Sequence, residues 1–186
     1  MSEDKKAADL QTLNASKEAS EPIVSSDHLA TEIGWPLSEL EFGLIIAYNA
    51  FSRWMVRCMT AAGASDLAAL DILVLHNVNH RKREKRLGDI CLMLNIEEAH
   101  TVGYAIKKLI RAGLVEGNKR GKEMNYATTE AGQKLCEDYR RVREQCLVNS
   151  FNLMFEASLS DVRSDATLLR TLSGLYDQAA RTATSL

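Results

Sequence analysis

Residues 97–111 place side chains of two kinds on opposite sides of a helical wheel. At about 100° per residue, Ala99, Val102, Ile106, Leu109 and Ile110 crowd one side, while Glu97, Thr101, Tyr104, Lys108 and Arg111 line the other. His100 and Lys107 flank that second row. Hydroxyl, imidazole, ammonium and guanidinium groups arrayed this way can donate to base edges and neutralise phosphates. The chemistry on offer is recognition, not bond breaking. Glu97 and Glu98 open the segment with negative charge; a carboxylate repels phosphate but can accept from cytosine N4. A second cationic cluster follows at Lys119-Arg120-Gly121-Lys122, in which Arg120 is suited to a minor groove although nothing in the stretch clearly orients it. A third is the run His80-Arg81-Lys82-Arg83-Glu84-Lys85-Arg86. Arg81, Arg83 and Arg86 could clamp a phosphate backbone there, or the run could be a solvated loop.

Patterns for catalysis and metal binding are missing. The chain has no glycine-rich phosphate loop, no G-x-S-x-G nucleophile elbow and no H-E-x-x-H helix. His76 and His80 stand four apart, a spacing that can chelate a metal, but no acid or cysteine pattern completes a site. We therefore expect no metal, no cofactor and no enzyme activity. Cys58, Cys91, Cys136 and Cys146 form no C-x-x-C pair and read mostly as small core residues of a reducing compartment.

The elements that must position these groups follow from periodicity and turn chemistry. Leu87, Ile90, Cys91 and Leu94 have helical spacing, and Asn95-Ile96 separates that short helix from residues 97–111. Gly113 fits a helix C-cap. Residues 114–116 and 124–127 are strand candidates around a loop rich in Gly, Asn and base. Thr129-Glu130 then caps a new helix, with an acid in its first turn as the dipole prefers. That order predicts a mainly α protein built on a winged helix-turn-helix with a small β-hairpin wing. A helix over 66–79 precedes it. Long helices are expected over 37–59, 130–156 and 161–180, the stripe of the second drifting around its helix. A small winged domain cannot cover all their apolar faces, so we expect a homodimer held by long N- and C-terminal dimerisation helices.

Leu87-Gly88-Asp89-Ile90, the run from Thr101 to Leu109, Gly113-Leu114-Val115 and Thr129-Glu130-Ala131-Gly132 resemble the MarR family of bacterial transcription regulators. The likeness spans about residues 38–154. Gly-Leu-Val after the recognition helix and Thr-Glu-x-Gly after the wing carry it. Many MarR-like wings hold an Asp-Arg-Arg run whose acid orients an arginine toward the minor groove. This wing is shorter and reads Gly117-Asn118-Lys119-Arg120-Gly121-Lys122, and Tyr104 stands where an arginine or another polar residue is common. The resemblance implies a dimeric regulator binding a pseudo-palindrome in double-stranded DNA. It also implies a small-molecule effector between the dimer helices and the winged domain, where Trp54, Arg57 and Cys58 could line the pocket. Some relatives sense oxidants through a thiol, and Cys58 beside Arg57 is the position where a lowered pKa would allow it.

Charge distribution agrees with that reading. The chain of 186 residues has a net charge of −2, yet residues 80–122 hold eleven bases against five acids, a local +6, so the remainder carries −8. Positive charge is concentrated where phosphate would lie. We expect a flexible arm at 1–34, a dimerisation helix at 35–62, a winged helix-turn-helix at 63–130 and dimerisation helices at 131–186. Residues 1–28 contain no aromatic residue and no signal-peptide pattern, and no apolar run is long enough for a membrane span. A cytoplasmic protein is expected. The competing class is a winged-helix protein-interaction module without DNA binding.

Overall fold

The computed structural model describes residues 34–154 and 159–186. The expected arm lies almost wholly outside the described residues. Helix α1 (Trp35–Ala61) starts with Pro36 in its first turn, where a missing N–H costs nothing. Only its C-terminal end enters the core, through Met55, Cys58 and Met59. Helix α2 (Ala69–Asn79) starts three residues later than its pattern predicted and buries Asp71, Ile72, Val74, Leu75 and Val78. It is the central pillar, packed against α1 and against the elements now described.

Strand β1 (Lys85–Arg86) leads into helix α3 (Leu87–Leu94), a turn, and helix α4 (Ala99–Arg111). Asn95 ends α3 at φ 51°, in the left-handed region, and the Ile96 amide donates to the Cys91 carbonyl at 3.0 Å. A short polar side chain tolerates that conformation, which sets the sharp angle between α3 and α4. Helix α4 closes by a full Schellman motif: Gly113 stands at φ 71°, its amide donating to Ile110 and that of Leu114 to Leu109.

Strands β2 (Val115–Arg120) and β3 (Glu123–Thr128) are longer than the sequence suggested. The expected loop shrinks to Gly121-Lys122, with Gly121 at φ 64° as a two-residue hairpin beginning with glycine requires. β1 adds a third strand that the sequence did not reveal, antiparallel to β3 in the order β1-β3-β2. A two-residue strand has no periodicity to read, so only its pairing defines it.

Helix α5 (Glu130–Arg143) is capped as predicted, the Gly132 amide donating to Thr129 Oγ1 at 3.1 Å. A π-helical turn (Glu144–Val148) leads to α6 (Asn149–Met154), and α7 (Leu159–Ala183) follows. The extra residue in the π-turn accounts for the drifting stripe. The core comprises one cluster running from Met59 through Ile72, Leu75, Ile90, Ile106 and Leu109 to Leu135. Burying side chains of this size contributes about 1.5–3 kcal/mol each. Along α1 and α7 lies the opposite: Leu44, Ile45, Ile46, Tyr48 and Phe51, and Val162, Leu168, Leu169 and Leu175, are exposed.

Candidate nucleic-acid interface

Helix α4 is anchored on one side by Val102, Ala105, Ile106 and Leu109, all buried. Its outward face differs from the predicted row by a small rotation. His100, Tyr104, Lys107 and Arg111 are exposed, whereas Thr101 and Lys108 are half-buried. The Thr101 hydroxyl donates to the Glu98 carbonyl at 2.8 Å, serving the start of the helix. Lys108 Nζ donates to Asp71 Oδ2 at 2.7 Å, an ion pair whose side chains are 38% and 9% exposed. The same oxygen accepts from the Ala68 amide at 2.9 Å and so caps α2. Lys108 therefore clamps α4 to α2, and its charge is answered inside the fold. Ile110, expected in the core, is exposed. Sequence periodicity could not find this rotation, because the partner that draws Lys108 inward lies on another helix.

The outward row is partly preorganised. Tyr104 is 67% exposed; its ring meets His100 edge-on at 6.2 Å, and Lys107 Nζ sits 5.7 Å from its centroid. One aromatic face thus carries a cation beside it, at the helix side that would meet a groove.

The basic run divides into two roles. Lys85 is buried, with Nζ donating to the carbonyls of Asn77, Val78 and His80. Burial lowers its pKa, and the three carbonyls it bonds lie at and just beyond the end of α2. Arg81, in the left-handed region at φ 62°, and Arg83 are exposed. Arg86 is exposed but engaged: it bonds Asp89, whose carboxyl it holds below the usual range, and Glu123 at 3.3 Å. On the wing, Lys119, Arg120 and Lys122 are all exposed. Arg120 Nε forms an ion pair with Glu84 Oε2 at 2.8 Å, and Asn118 Nδ2 donates to Glu84 Oε1 at 2.9 Å. An acid does contact the wing arginine, and it comes from outside the wing.

Gly132 explains why glycine is required after the wing. A Cβ there would stand 2.0 Å from the Leu114 carbonyl oxygen. Thr129 joins the same junction, its amide donating to Leu114 and its hydroxyl to Gly113. The two short motifs singled out in the sequence are thus halves of one contact, locking the end of α4 to the start of α5.

Residues 67–132 match the family described as winged helix DNA-binding domain. A MarR-family transcriptional regulator from Rhodococcus sp. has a similar structure, with TM-score 0.60 at 14% identity over 73% of this chain and 92% of that one. The chain has a MarR-type winged-helix fold. Two further solved structures share it. One is a cysteine-to-serine mutant of MarR from E. coli complexed with operator DNA, at TM-score 0.60 and 14% identity over 76% of this chain and 99% of that one. The other is CouR from Rhodococcus jostii bound to p-coumaroyl-CoA, at 0.59 and 14% over 72% and 91%. No curated sequence matches the chain. The sequence resemblance and the three-dimensional likeness thus converge on the MarR-type winged-helix fold.

Trp54, Arg57 and Cys58 lie within two turns of α1 and differ in exposure. Trp54 is half-buried, Arg57 is exposed and Cys58 is buried, its thiol donating to the Tyr139 carbonyl at 3.6 Å. Burial pushes the Cys58 thiol up, against the lowered pKa that thiol sensing would need. Cys136 is likewise raised by burial, to about 11. Helix α1 lends Phe51 and Met55 to a cavity of 540 Å³, with His76 and Asn79 from α2 and Tyr139, Arg140 and Arg143 from α5. His76 packs its ring against Tyr139 at 4.5 Å, and burial lowers its pKa. His80, four residues further on, is exposed. Among the described residues no cluster of His, Cys, Asp or Glu could hold a metal ion, and no helix is long and apolar enough to cross a membrane.

Proposed function

We propose that the chain is a homodimeric, sequence-specific DNA-binding transcription regulator of the MarR type, acting in the cytoplasm on a pseudo-palindromic operator in double-stranded DNA. The observation that carries this reading is the outward row His100, Tyr104, Lys107 and Arg111 on a helix whose other side is buried, flanked by Lys119, Arg120 and Lys122 of the wing. Donors on the helix suit the major groove, and the wing cations suit adjacent phosphates and the minor groove. Exposed apolar residues along α1 and α7 favour a two-fold dimer in which residues 35–62 and 131–186 interlock and residues 63–130 read DNA. Two recognition helices then enter successive major grooves about 34 Å apart.

An effector response is favoured by the cavity between α1, α2 and α5. Its wall combines Phe51 and Tyr139 with Arg140 and Arg143 against the single acid Glu137, a setting for an acidic aromatic molecule. The bound p-coumaroyl-CoA in CouR is of that general kind. Occupation would alter the spacing of the two reading heads. The decisive experiment is fluorescence-anisotropy binding of the purified protein to a pool of duplexes at two salt concentrations, with random-sequence competitor. Selective, steeply salt-dependent binding supports the DNA reader. Absence of retention at low salt overturns it in favour of a winged-helix module for protein partners.

A further inference from the structure

We propose that Glu84 is the positioning residue for Arg120, fixing the wing arginine for a DNA minor groove; the inference rests on the DNA-reading proposal above. Three observations carry it. First, Glu84 uses both carboxylate oxygens on the wing: Oε2 lies 2.8 Å from Arg120 Nε in an ion pair, and Oε1 accepts from Asn118 Nδ2 at 2.9 Å. Asn118 and Arg120 are two apart on β2 and so share a face of the sheet. A carboxylate held through Oε1 keeps its second oxygen against Arg120, so the ion pair has a fixed place as well as a charge. Second, the contact is made through Nε. The two terminal nitrogens of Arg120 make no hydrogen bond or ion pair among the described residues, and its side chain is 73% exposed. The stem is held while the donor fork stays available.

Third, Glu84 is itself fixed. Its side chain is only 24% exposed. It immediately precedes Lys85, whose ammonium is buried on three carbonyls around the end of α2, and Lys85 pairs with Tyr126 on β3. The strand order β1-β3-β2 makes Glu84 reach from the far edge strand past the central one. The wing arginine is thereby referenced to the core helix α2 and not only to its own hairpin. Within the run 80–86 Glu84 is the one acid, an odd choice for a phosphate clamp and an understandable one for holding an arginine. Its role was invisible in sequence because 34 residues separate Glu84 from Asn118.

The sign of the effect separates positioning from charge. A carboxylate near phosphates opposes binding, so removing it for electrostatic reasons alone tightens binding to every sequence. Positioning predicts a loss confined to sites whose flanks offer a narrow, A·T-rich minor groove.

The test uses the full chain and a duplex selected by the wild-type protein from a random pool, beside the same duplex with its flanking A·T steps changed to G·C. Wild type should prefer the A·T-flanked duplex by about tenfold, the scale of one mismatched position. Arg120→Ala and Glu84→Gln should each remove most of that preference, with no further loss in the double variant. Asn118→Ala, which keeps the charge and releases one oxygen, should move it the same way by a smaller factor. Thermal melts by circular dichroism confirm that each variant folds. If Glu84→Gln keeps the full flank preference or tightens both duplexes equally, or Arg120→Ala changes nothing, the positioning role is overturned while DNA reading stands. If wild type selects no duplex at all, both proposals fall.

Discussion

Replacing Gly132 with alanine should destabilise the protein, although the position is helical and alanine is the better helix former. In an open helix the exchange gains about 1 kcal/mol. Here the new methyl would stand 2.0 Å from the Leu114 carbonyl oxygen and 3.0 Å from its carbon, both backbone atoms that no rotamer change can move. The end of α4 and the start of α5 must part by roughly 1 Å or more, which close packing resists. Overpacking of this kind costs about 1–3 kcal/mol. The separation also strains the bonds from Thr129 to Leu114 and Gly113 and from Gly132 to Thr129, at 3.1, 2.7 and 3.1 Å. Losing that cap and one neutral hydrogen bond adds about 2 kcal/mol. Set against the propensity gain, the net loss is about 2–4 kcal/mol. Gly103→Ala in α4 is the control: nothing lies within 4 Å of the added carbon, so it should stabilise by up to about 1 kcal/mol. Urea unfolding followed by circular dichroism at one fixed protein concentration measures both, since a dimer's midpoint shifts with concentration. A Gly132→Ala protein as stable as wild type would refute the packing argument.

Three other outcomes follow from the site. Lys108→Met should lower stability and, in a double-mutant cycle with Asp71→Ala, show a coupling of about 1 kcal/mol, while leaving the salt slope of DNA binding nearly unchanged; Lys107→Ala and Arg111→Ala should each reduce that slope by about one phosphate. Burial lowers the pKa of His76 below its ordinary 6.5, so the unfolded chain takes up this proton first. Stability should be full above about pH 6.5 and decline below it, at no more than about 1.4 kcal/mol per pH unit until the folded protein is protonated too. His76→Phe should flatten that part of a stability-against-pH curve, and an unchanged curve would locate the dependence elsewhere. In thiol-labelling with a chromogenic disulfide, the buried Cys58 and Cys136 should react only on unfolding, their raised pKa values leaving little thiolate at neutral pH. Rapid labelling of native Cys58 would revive the sensor expectation.

Much of the reading head was legible because its signals are local. The boundaries of α3 follow from apolar spacing within two turns, and the caps at Gly113 and Thr129 are single-residue chemistry. The wing was recognised but underestimated: its strands lack alternation, so a loop of seven residues was inferred where ladder pairing from Arg120↔Glu123 to Val115↔Thr128 leaves a two-residue turn. Expectations that depended on side-chain direction fared less well. Thr101 and Lys108 lie on the predicted side of the wheel, yet local backbone and a distant carboxylate claim them. The cavity lined by Phe51 and Met55 of α1 together with residues of α2 and α5 was not legible either, because its walls come from three separate helices.

By itself the sequence determined the order and handedness of the local units: which segments are helical, where each stops, and that positive charge gathers between residues 80 and 122. Periodicity, capping and turn preferences act within about one helical turn, so a linear reading captures them. The tertiary structure decided which polar groups are available. Asp71 meets Lys108 across 37 residues, and Glu84 meets Asn118 across 34. Such pairings arise only when the core brings separate elements within hydrogen-bond reach, a constraint that no window along the chain contains.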